Sequence, residues 1–481
     1  MEAHTSTQLA GLSARRLDGS ATTLDQASLD ALSGILEGDL LTPGASGYDE
    51  SRSVWNAMID RRPGAVVRSA SAHDVAAAVR FAAEHDLLVS IKGAGHNIAG
   101  SAVADGALLI DLSGLRAVEV DPEVRTARVQ PGATLGDFDA ATLAHGLVTP
   151  LGINSTTGIA GLTLGGGFGW LTRKHGLTID NLIGADVVTA DGVQVRASAD
   201  ENPDLFWALR GGGGNFGVVT SFDFALHPIA PEIYAGLIVH PAGDGAAVLR
   251  RWRDFVADMP EELNVWAVMR KAPPLPFLPE SVHGTEVVVL ACFYAGPAAE
   301  AERLLEPLRS FGSPVGEHLG PMPYVAWQQA FDPLLAPGAR NYWKSHNFRE
   351  LGDDALDTVL DALDRLPTDL TEIFIGVLGG AANRVSADAT AYPHRSAELV
   401  MNVHTRWESA ADDERCVEWA RNFFEQTAPF AEGGVYANFV SEGEQRLDAI
   451  YGPNYPRLAK AKAQYDPENR FRVNQNIEPA A

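Results

Sequence analysis

The chain has 481 residues, with 37 lysines and arginines against 62 aspartates and glutamates, which gives a formal net charge of −25. This negative charge repels phosphates and anionic lipids, so we expect neither nucleic acid nor a membrane as a partner. The length predicts two to four domains or one large composite domain, and the apolar content of 46% is ordinary for a globular protein. Cys292 and Cys416 are too few for a disulfide framework and lie in no metal-binding motif, so we expect no metal site. We find no apolar signal segment and no apolar run of membrane-spanning length, which favours a cytoplasmic protein.

In chain order, the apolar patterns predict a helical prelude, a region of short strands and helices, and a region of longer strands. Residues 1–50 form the prelude, with helical spacing at 24–36. The next region has helical patterns at 71–85 and 137–145 and strand patterns at 65–67, 87–91, 107–112, 117–120, 125–129, 182–189, 194–196 and 218–226. Beyond residue 228, strand patterns at 235–239, 265–270, 286–295, 373–378 and 398–404 are interrupted by helical patterns at 246–259, 298–311 and 353–366. This last region predicts an antiparallel sheet with helices on one side, and the whole chain an α+β protein.

Glycine makes up 47 residues, nearly a tenth of the chain, against an average of about 7%. The glycines concentrate in three segments, Gly93–Gly100, Gly152–Gly169 and Gly211–Gly217. Each segment lies among apolar runs, which is typical of tight turns inside a folded domain. The first segment lacks the third glycine of the dinucleotide fingerprint and the chain has no Walker motif, so a nicotinamide site is unsupported. Three such loops in one region predict a large nucleotide cofactor.

Several motifs carry a resemblance to a known family. Residues 92–100, 154–169, 173–181 and 211–217 resemble the FAD domain of the vanillyl-alcohol-oxidase superfamily, also called PCMH-type. Residues 451–455, 465–469 and 471–477 are similar to the C-terminal signature of berberine-bridge enzymes. The resemblance runs from about residue 63 to residue 477. It implies a two-subdomain FAD-binding domain at 51–228, a substrate domain at 229–430 with a helix-covered antiparallel sheet, and a C-terminal segment at 431–481 that returns to the FAD domain.

The resemblance also implies how FAD is held. In the family, the histidine of the first glycine motif is tethered through its imidazole to the 8α-methyl group of the flavin, and that residue here is His96. Bicovalent members have a cysteine at the position of Asn154, so we expect a single link, as in the bacterial branch that includes hydroxynicotine-type oxidases. The other residues expected to contact FAD are Lys92, Gly93, Ala94, Gly95, Asn97, Gly152, Thr156, Thr157, Gly158, Gly161, Leu162, Gly165, Gly166, Gly169, Gly217, Val219, Tyr451, Asn454, Asn474 and Asn476.

The proton acceptor of the reaction is not fixed by the resemblance. Phe168 replaces a tyrosine hydroxyl of plant relatives, and Asn402 replaces a carboxylate, so neither can accept the proton and Asn402 is left to orient the substrate. Residues 341–346 are similar to a strand that supplies a lysine to amine-oxidising relatives. An alcohol substrate needs a base whose pKa lies near the working pH, whereas a neutral amine needs none. The candidates for the base are Lys344 and His346, which share one strand face, with Tyr342 and His404 as alternatives.

The resemblance therefore implies an oxidase for a small organic molecule. A C–H bond next to nitrogen or oxygen would give its hydride to flavin N5, and O2 would reoxidise the flavin to give H2O2. Thr157 is small and would leave room for oxygen above the flavin. The alternatives are an oligosaccharide or polyol oxidase of the same family, a nicotinamide-dependent dehydrogenase, and a non-redox flavoprotein. We expect a monomer or a homodimer, with O2 and the substrate as its small-molecule partners.

Overall fold

The first half of the chain forms two principal sheets, in a computed structural model that describes residues 11–441, 443 and 446–481. The first sheet has the order β3-β4-β6-β5, in which β4, β6 and β5 are parallel and β3 is antiparallel to β4. The second sheet is antiparallel, in the order β11-β10-β12-β8-β7. The strands are β3 Asp39–Leu41, β4 Ala65–Arg68, β5 Val89–Lys92, β6 Leu108–Asp111, β7 Val118–Asp121, β8 Thr126–Val129, β10 Leu182–Val188, β11 Gln194–Ser198 and β12 Val218–Ala225. Two small two-stranded sheets complete this half: β1 Leu12–Arg15 pairs with β2 Ala21–Leu24, and β9 Leu147–Val148 pairs with β13 His227–Pro228.

Helices of the first half pack around these sheets and connect them. Helix α4 begins with a capping box in which the Thr134 and Asp137 side chains satisfy backbone N–H groups of the first turn. The helices are α1 Gln26–Ser33, α2 Tyr48–Arg52, α3 Ala72–Glu84, α4 Leu135–Leu143, α5 Ile159–Leu164, α6 Thr172–His175 and α7 Pro203–Leu209. The prediction of a helical prelude over residues 1–50 is wrong outside α1 and the start of α2, because β1 pairs with β2 and β3 joins the first sheet. Residues 1–10 of that prediction lie outside the described residues.

The second half is built on one antiparallel sheet of seven strands, in the order β17-β14-β16-β15-β19-β20-β18. Its strands are β14 Glu232–Pro241, β15 Leu263–Lys271, β16 Glu286–Tyr294, β17 Gly316–Pro323, β18 Arg340–Phe348, β19 Glu372–Val377 and β20 Leu399–Trp407. Helix α13 packs on β18 and β20, and α11 lies between α13 and α8. The remaining helices are α8 Gly245–Asp258, α9 Ala298–Leu305, α10 Tyr324–Gln328, α11 Asp353–Leu363, α12 Ala381–Arg384, α13 Asp413–Thr427, α14 Leu447–Tyr451 and α15 Tyr455–Tyr465. The α+β prediction is confirmed, although β17, α10, α12 and α13 were not predicted.

The C-terminal segment packs back against the first half of the chain. The Lys462 ammonium, at the end of α15, donates to Asp466 Oδ2 at 2.6 Å, to the Asn215 carbonyl at 2.8 Å and to the Phe471 carbonyl at 3.0 Å. Both charged side chains are fully buried. These bonds join the final residues to the third glycine loop. None of the helices in the described part of the chain has the length and apolar content to cross a membrane.

Candidate active site

A cavity of about 340 Å³ lies where the three glycine loops face the seven-stranded sheet. Residues 93–97, 152–165 and 213–217 contribute most of one wall, and residues 471–475 of the C-terminal segment close it. The opposite wall consists of side chains from β15, β18, β19 and β20. The chain therefore brings its glycine-rich half and its sheet half together around one space.

The glycine loops have the shape that a large, flat cofactor requires. Gly213, in the third loop, has a φ of +73°, a backbone conformation that residues with a side chain rarely adopt. A Cβ on Gly158 would lie 2.8 Å from the Ala94 Cβ, which shows that the first and second loops approach closely. A Cβ on Gly161 or Gly214 would meet no atom within 4 Å, because both residues face the open cavity. Residues at the wall are therefore small where a ligand must approach the backbone. This arrangement fits the expected FAD.

His96 is held in one orientation at the cavity wall. Its ring stacks on Trp55 with centroids 4.8 Å apart, and its Nε2 lies 3.0 Å from Thr156 Oγ1. Both the backbone N–H and the hydroxyl of Thr156 donate to Asn154 Oδ1, at 3.0 and 2.7 Å. Because the hydroxyl proton is used there, Thr156 accepts from His96, so Nε2 carries the ring proton and Nδ1 keeps a lone pair. Burial, reinforced by the charge of Arg406, lowers the pKa of His96 to about 4, so the ring is neutral.

A polar row crosses the sheet wall through four neighbouring strands, and we define it as Arg270, Glu372, His404 and Trp343. The backbone register places Arg270 opposite Glu372, Glu372 opposite His404, and His404 opposite Trp343. Arg270 Nη1 lies 2.5 Å from one Glu372 oxygen, and His404 Nδ1 lies 3.3 Å from the other. Burial alone would raise the pKa of Glu372, but the charge of Arg270, the hydrogen bond from His404 and the charge of Arg406 outweigh it and lower that pKa to about 2.

The next row of the sheet places Asn402 between Phe374 and Ser345. Asn402 is fully buried and His404 is 3% exposed, and both line the cavity. Neither amide atom of Asn402 has a hydrogen-bond partner among the described residues, and the same holds for His404 Nε2. Buried polar atoms are nearly always paired in native proteins, and because both residues line the cavity these atoms are available to a ligand there.

The structure does not bring Tyr342, Lys344 and His346 to the cavity. Their side chains project from the face of β18 that packs against α13, whereas Trp343 projects from the other face into the cavity. The His346 ring stacks on Phe424 with centroids 3.9 Å apart, and its Nε2 lies 2.9 Å from the Phe424 carbonyl oxygen. Lys344 Nζ lies 4.4 Å from the centre of the same Phe424 ring, and the Tyr342 hydroxyl accepts from Arg421 at 3.1 Å. The expected shared face is present, but it is the face turned away from the site.

Most of the residues expected to contact FAD do line the cavity: Gly93, Ala94, Gly95, His96, Asn97, Gly152, Thr157, Gly158, Gly161, Leu162, Gly165, Gly217, Val219, Tyr451 and Asn474. Thr156 stands behind His96 and contacts it. The residues that do not line the cavity are Lys92, Gly166, Gly169, Asn454 and Asn476. Three of these have internal roles instead. Lys92 donates to the Ser51 carbonyl and lies 3.5 Å from Asp111, Asn454 donates to the Ala387 carbonyl at 2.8 Å, and a Cβ on Gly169 would collide with the Leu151 carbonyl.

Sequence reasoning missed several residues of the wall, among them Glu372, Phe374, Tyr436 and Trp266. The two-residue spacing of Glu372 and Phe374 along β19 could have indicated that both side chains face the same side of the sheet.

Tyr436 holds the second glycine loop in place. Its hydroxyl accepts from the Gly167 N–H at 2.9 Å and from Asn438 Nδ2 at 3.0 Å. The Tyr436 ring meets the Phe168 ring edge to face, with centroids 5.0 Å apart. A tyrosine hydroxyl therefore does lie beside Phe168, supplied from a distant part of the chain.

A smaller apolar chamber of about 60 Å³ adjoins the main cavity. The two spaces share Ile153, Trp266, Leu335, Glu372 and Phe374 as lining residues. The chamber's other walls are almost entirely apolar, formed by residues such as Trp170, Val268, Phe331 and Leu334. The chamber therefore adds apolar surface next to the main cavity, on the side of Trp266 and Phe374.

Comparison with known proteins identifies this architecture. A family model for an FAD binding domain matches residues 63–198, and one for berberine and berberine-like proteins matches residues 435–478. An FAD-linked oxidoreductase of Dictyostelium discoideum is 32% identical over 449 residues, which cover 92% of this chain and 95% of that protein. The (R)-6-hydroxynicotine oxidase of Paenarthrobacter nicotinovorans is 31% identical over 463 residues, which cover 92% and 97%. The crystal structure of 6-hydroxy-D-nicotine oxidase from Arthrobacter nicotinovorans superposes with a TM-score of 0.83 at 29% identity, over 92% of this chain and 98% of that one. The chain therefore belongs to the berberine-bridge-enzyme-like FAD-linked oxidases of the PCMH superfamily, and it is an FAD-dependent oxidoreductase.

Proposed function

We propose that this enzyme is an oxidase that removes hydride from a C–H bond next to oxygen or nitrogen in a small organic substrate with an apolar body. The observation that carries the proposal is the cavity itself, in which glycine loops face a sheet wall with unpaired polar atoms on Asn402 and His404. FAD, when bound, supplies the hydride acceptor. The chain's own residues then bind the substrate, exclude water and accept its proton.

We propose that FAD is held by a single covalent link to Nδ1 of His96. Thr156 and Asn154 keep the ring proton on Nε2, so Nδ1 is the nitrogen with a lone pair available for bond formation. Asn154 lines the cavity at the position of the second link in bicovalent relatives, and an amide cannot form that thioether. Cys292 on β16 and Cys416 on α13 are buried elsewhere. Acid precipitation tests this link, since the precipitate should stay yellow for the wild type and become colourless for His96→Ala.

The walls of the substrate side favour an apolar or aromatic molecule over a sugar. Trp266, Phe374, Trp343 and Phe439 line the cavity opposite the glycine loops, and the adjoining chamber extends this apolar surface. An oligosaccharide would leave many hydroxyl groups without hydrogen-bond partners against such walls. The family assignment also rules against a nicotinamide-dependent dehydrogenase, because the matched domain is an FAD binding domain.

We further propose O2 as the electron acceptor, since Thr157 presents a small side chain at the cavity. A peroxide assay over apolar alcohols, amines and sugars tests the substrate class. Anaerobic reduction followed by mixing with air tests the acceptor, and reoxidation over minutes rather than seconds would remove the oxidase assignment.

We propose that residues 51–228 form the FAD-binding domain, residues 229–430 the substrate domain, and residues 431–481 a C-terminal segment. The change from the small sheets to the seven-stranded sheet at β14 supports this division.

A further inference from the structure

The polar row determines which nitrogen of His404 is available to a substrate. His404 Nδ1 lies 3.3 Å from a Glu372 carboxylate oxygen, and Glu372 is ionised and has no proton to donate. Nδ1 must therefore carry the proton of this hydrogen bond, which leaves a lone pair on Nε2. Nε2 is buried, belongs to a residue that lines the cavity, and has no partner among the described residues. A neutral imidazole in this state is ready to accept a proton.

Glu372 is itself fixed, so the imidazole cannot easily rotate away. Arg270 on β15 binds the second carboxylate oxygen at 2.5 Å, and the Trp343 ring on β18 meets the His404 ring edge to face with centroids 4.3 Å apart. The carboxylate on one side of the ring and the indole on the other hold the imidazole plane. The negative charge of Glu372 would also stabilise the imidazolium that forms when Nε2 accepts a proton.

We propose that His404, positioned by Glu372, is the general base of the reaction, and that the group oxidised is an alcohol. This inference rests on the proposed function and makes its substrate class narrower. The O–H and C–H bonds of the alcohol break and a C=O bond forms, while the proton passes to His404 Nε2 and the hydride to FAD. O2 would then take the two electrons from the reduced flavin together with the hydrogen it received and the proton held by His404, and would leave as hydrogen peroxide, which restores the base. A buried base with a supporting carboxylate is required for an O–H proton, whereas an amine that binds neutral needs no such group.

The electrostatic surroundings of His404 predict the pH dependence. The charged groups around the ring are Glu372 on β19, Arg270 beyond it on β15, and Arg406 on the same strand as His404. Burial lowers the pKa of His404, Glu372 raises it in part, and the two arginines lower it again, with a net decrease. The base is therefore unprotonated at neutral pH. The rate of substrate oxidation should rise with pH through a pKa below the ordinary histidine value and then stay constant.

Nitrogen NMR of the holoenzyme tests the arrangement without any substrate. Protein labelled with 15N-histidine is compared with His404→Asn to assign the His404 signals. We expect a protonated Nδ1 and an unprotonated Nε2 at pH 7, and a lower His404 pKa in Glu372→Gln, which keeps an acceptor oxygen but loses the charge. A proton on Nε2, or an imidazolium at pH 7, would overturn the proposal.

Anaerobic reduction of the flavin tests the chemistry. The probes are benzyl alcohol, 1-phenylethanol and 1-octanol, each paired with the corresponding amine. His404→Asn should slow reduction by the alcohols by about 10²- to 10⁴-fold and abolish the acidic limb of the pH profile, while Glu372→Gln should move that limb to lower pH. His346→Asn is the matched control, because His346 is buried on the opposite face of the sheet, and its rate should stay within about twofold of the wild type.

The outcomes separate this inference from the function on which it rests. Reduction of the wild type by amines alone would overturn the alcohol assignment and leave the proposed function standing. An unchanged rate and pH profile in His404→Asn would overturn the base. A wild type that none of the alcohols or amines reduces would overturn the proposed function itself.

Discussion

Replacing Lys462 with methionine tests how the C-terminal segment is held against the third glycine loop. The substitution keeps most of the side-chain volume but removes the ammonium that donates to Asp466, Asn215 and Phe471. Asp466 is fully buried and, among the described residues, would retain as side-chain partners only the backbone N–H groups of Arg470 and Phe471. Removing one partner of a buried ion pair typically costs about 3–5 kcal/mol, because the other charge is left uncompensated. We therefore expect the free energy of unfolding to fall by that amount.

Urea unfolding at pH 7, followed by tryptophan fluorescence, measures this loss. The double variant Lys462→Met with Asp466→Leu is the control, since it removes both charges and should recover about 2 kcal/mol of the loss. Flavin content should fall in the single variant, because Asn215 and Phe471 both line the cavity. A single variant within about 1 kcal/mol of the wild type, or a double variant no more stable than the single one, would refute the reasoning.

Three further predictions concern Asp139, Thr156 and Leu334. Burial raises the pKa of Asp139 from 3.8 to about 7, so the folded state holds a proton that the unfolded state has released, and stability should fall as pH rises from about 4 to 7, by about 4 kcal/mol in all. Asp139→Asn should remove this dependence, and equal urea midpoint changes between pH 5 and pH 8 in both proteins would contradict it. Thr156→Val removes the acceptor of the His96 ring proton and should slow covalent flavin attachment about tenfold, measured by acid precipitation over time, while Thr156→Ser should not. Leu334→Trp fills the apolar chamber and should raise KM for 1-octanol but not for benzyl alcohol, so equal changes in the two KM values would argue against the chamber as a substrate subsite.

The elements of the fold were largely predictable because their signals are local. The apolar run at residues 286–295 and the helical spacing at 246–259 correspond closely to β16 and α8. The prelude was misread because the strands β1, β2 and β3 are mostly exposed and polar, so they lack the apolar run that identifies a strand of equal length such as β4. Helix α13 was missed although its buried residues, such as Cys416 and Phe423, follow helical spacing among many charged residues.

The two walls of the site differ in how far the sequence determines them. Glycine loops are specified locally, since close backbone approach demands glycine at the position itself, and most of the glycine-loop residues that line the cavity were therefore identified. The sheet wall depends on which face of each strand turns inward, and the packing of α13 decides this. The period-two pairing of Lys344 and His346 was correct, but their face was not. His404 was only an alternative candidate, and Glu372 was absent from the prediction, because a register that joins residues 32 positions apart leaves no mark on the sequence.

The polar row has a consequence for how this enzyme family could change its chemistry. Each member of the row belongs to a different strand, and the regular hydrogen bonds of the sheet are made by backbone atoms, whichever side chains the row carries. A substitution at one position therefore exchanges a single group facing the substrate and leaves the ladder intact. The sheet half can be refitted to a new substrate one strand at a time, while the glycine half continues to bind the same cofactor.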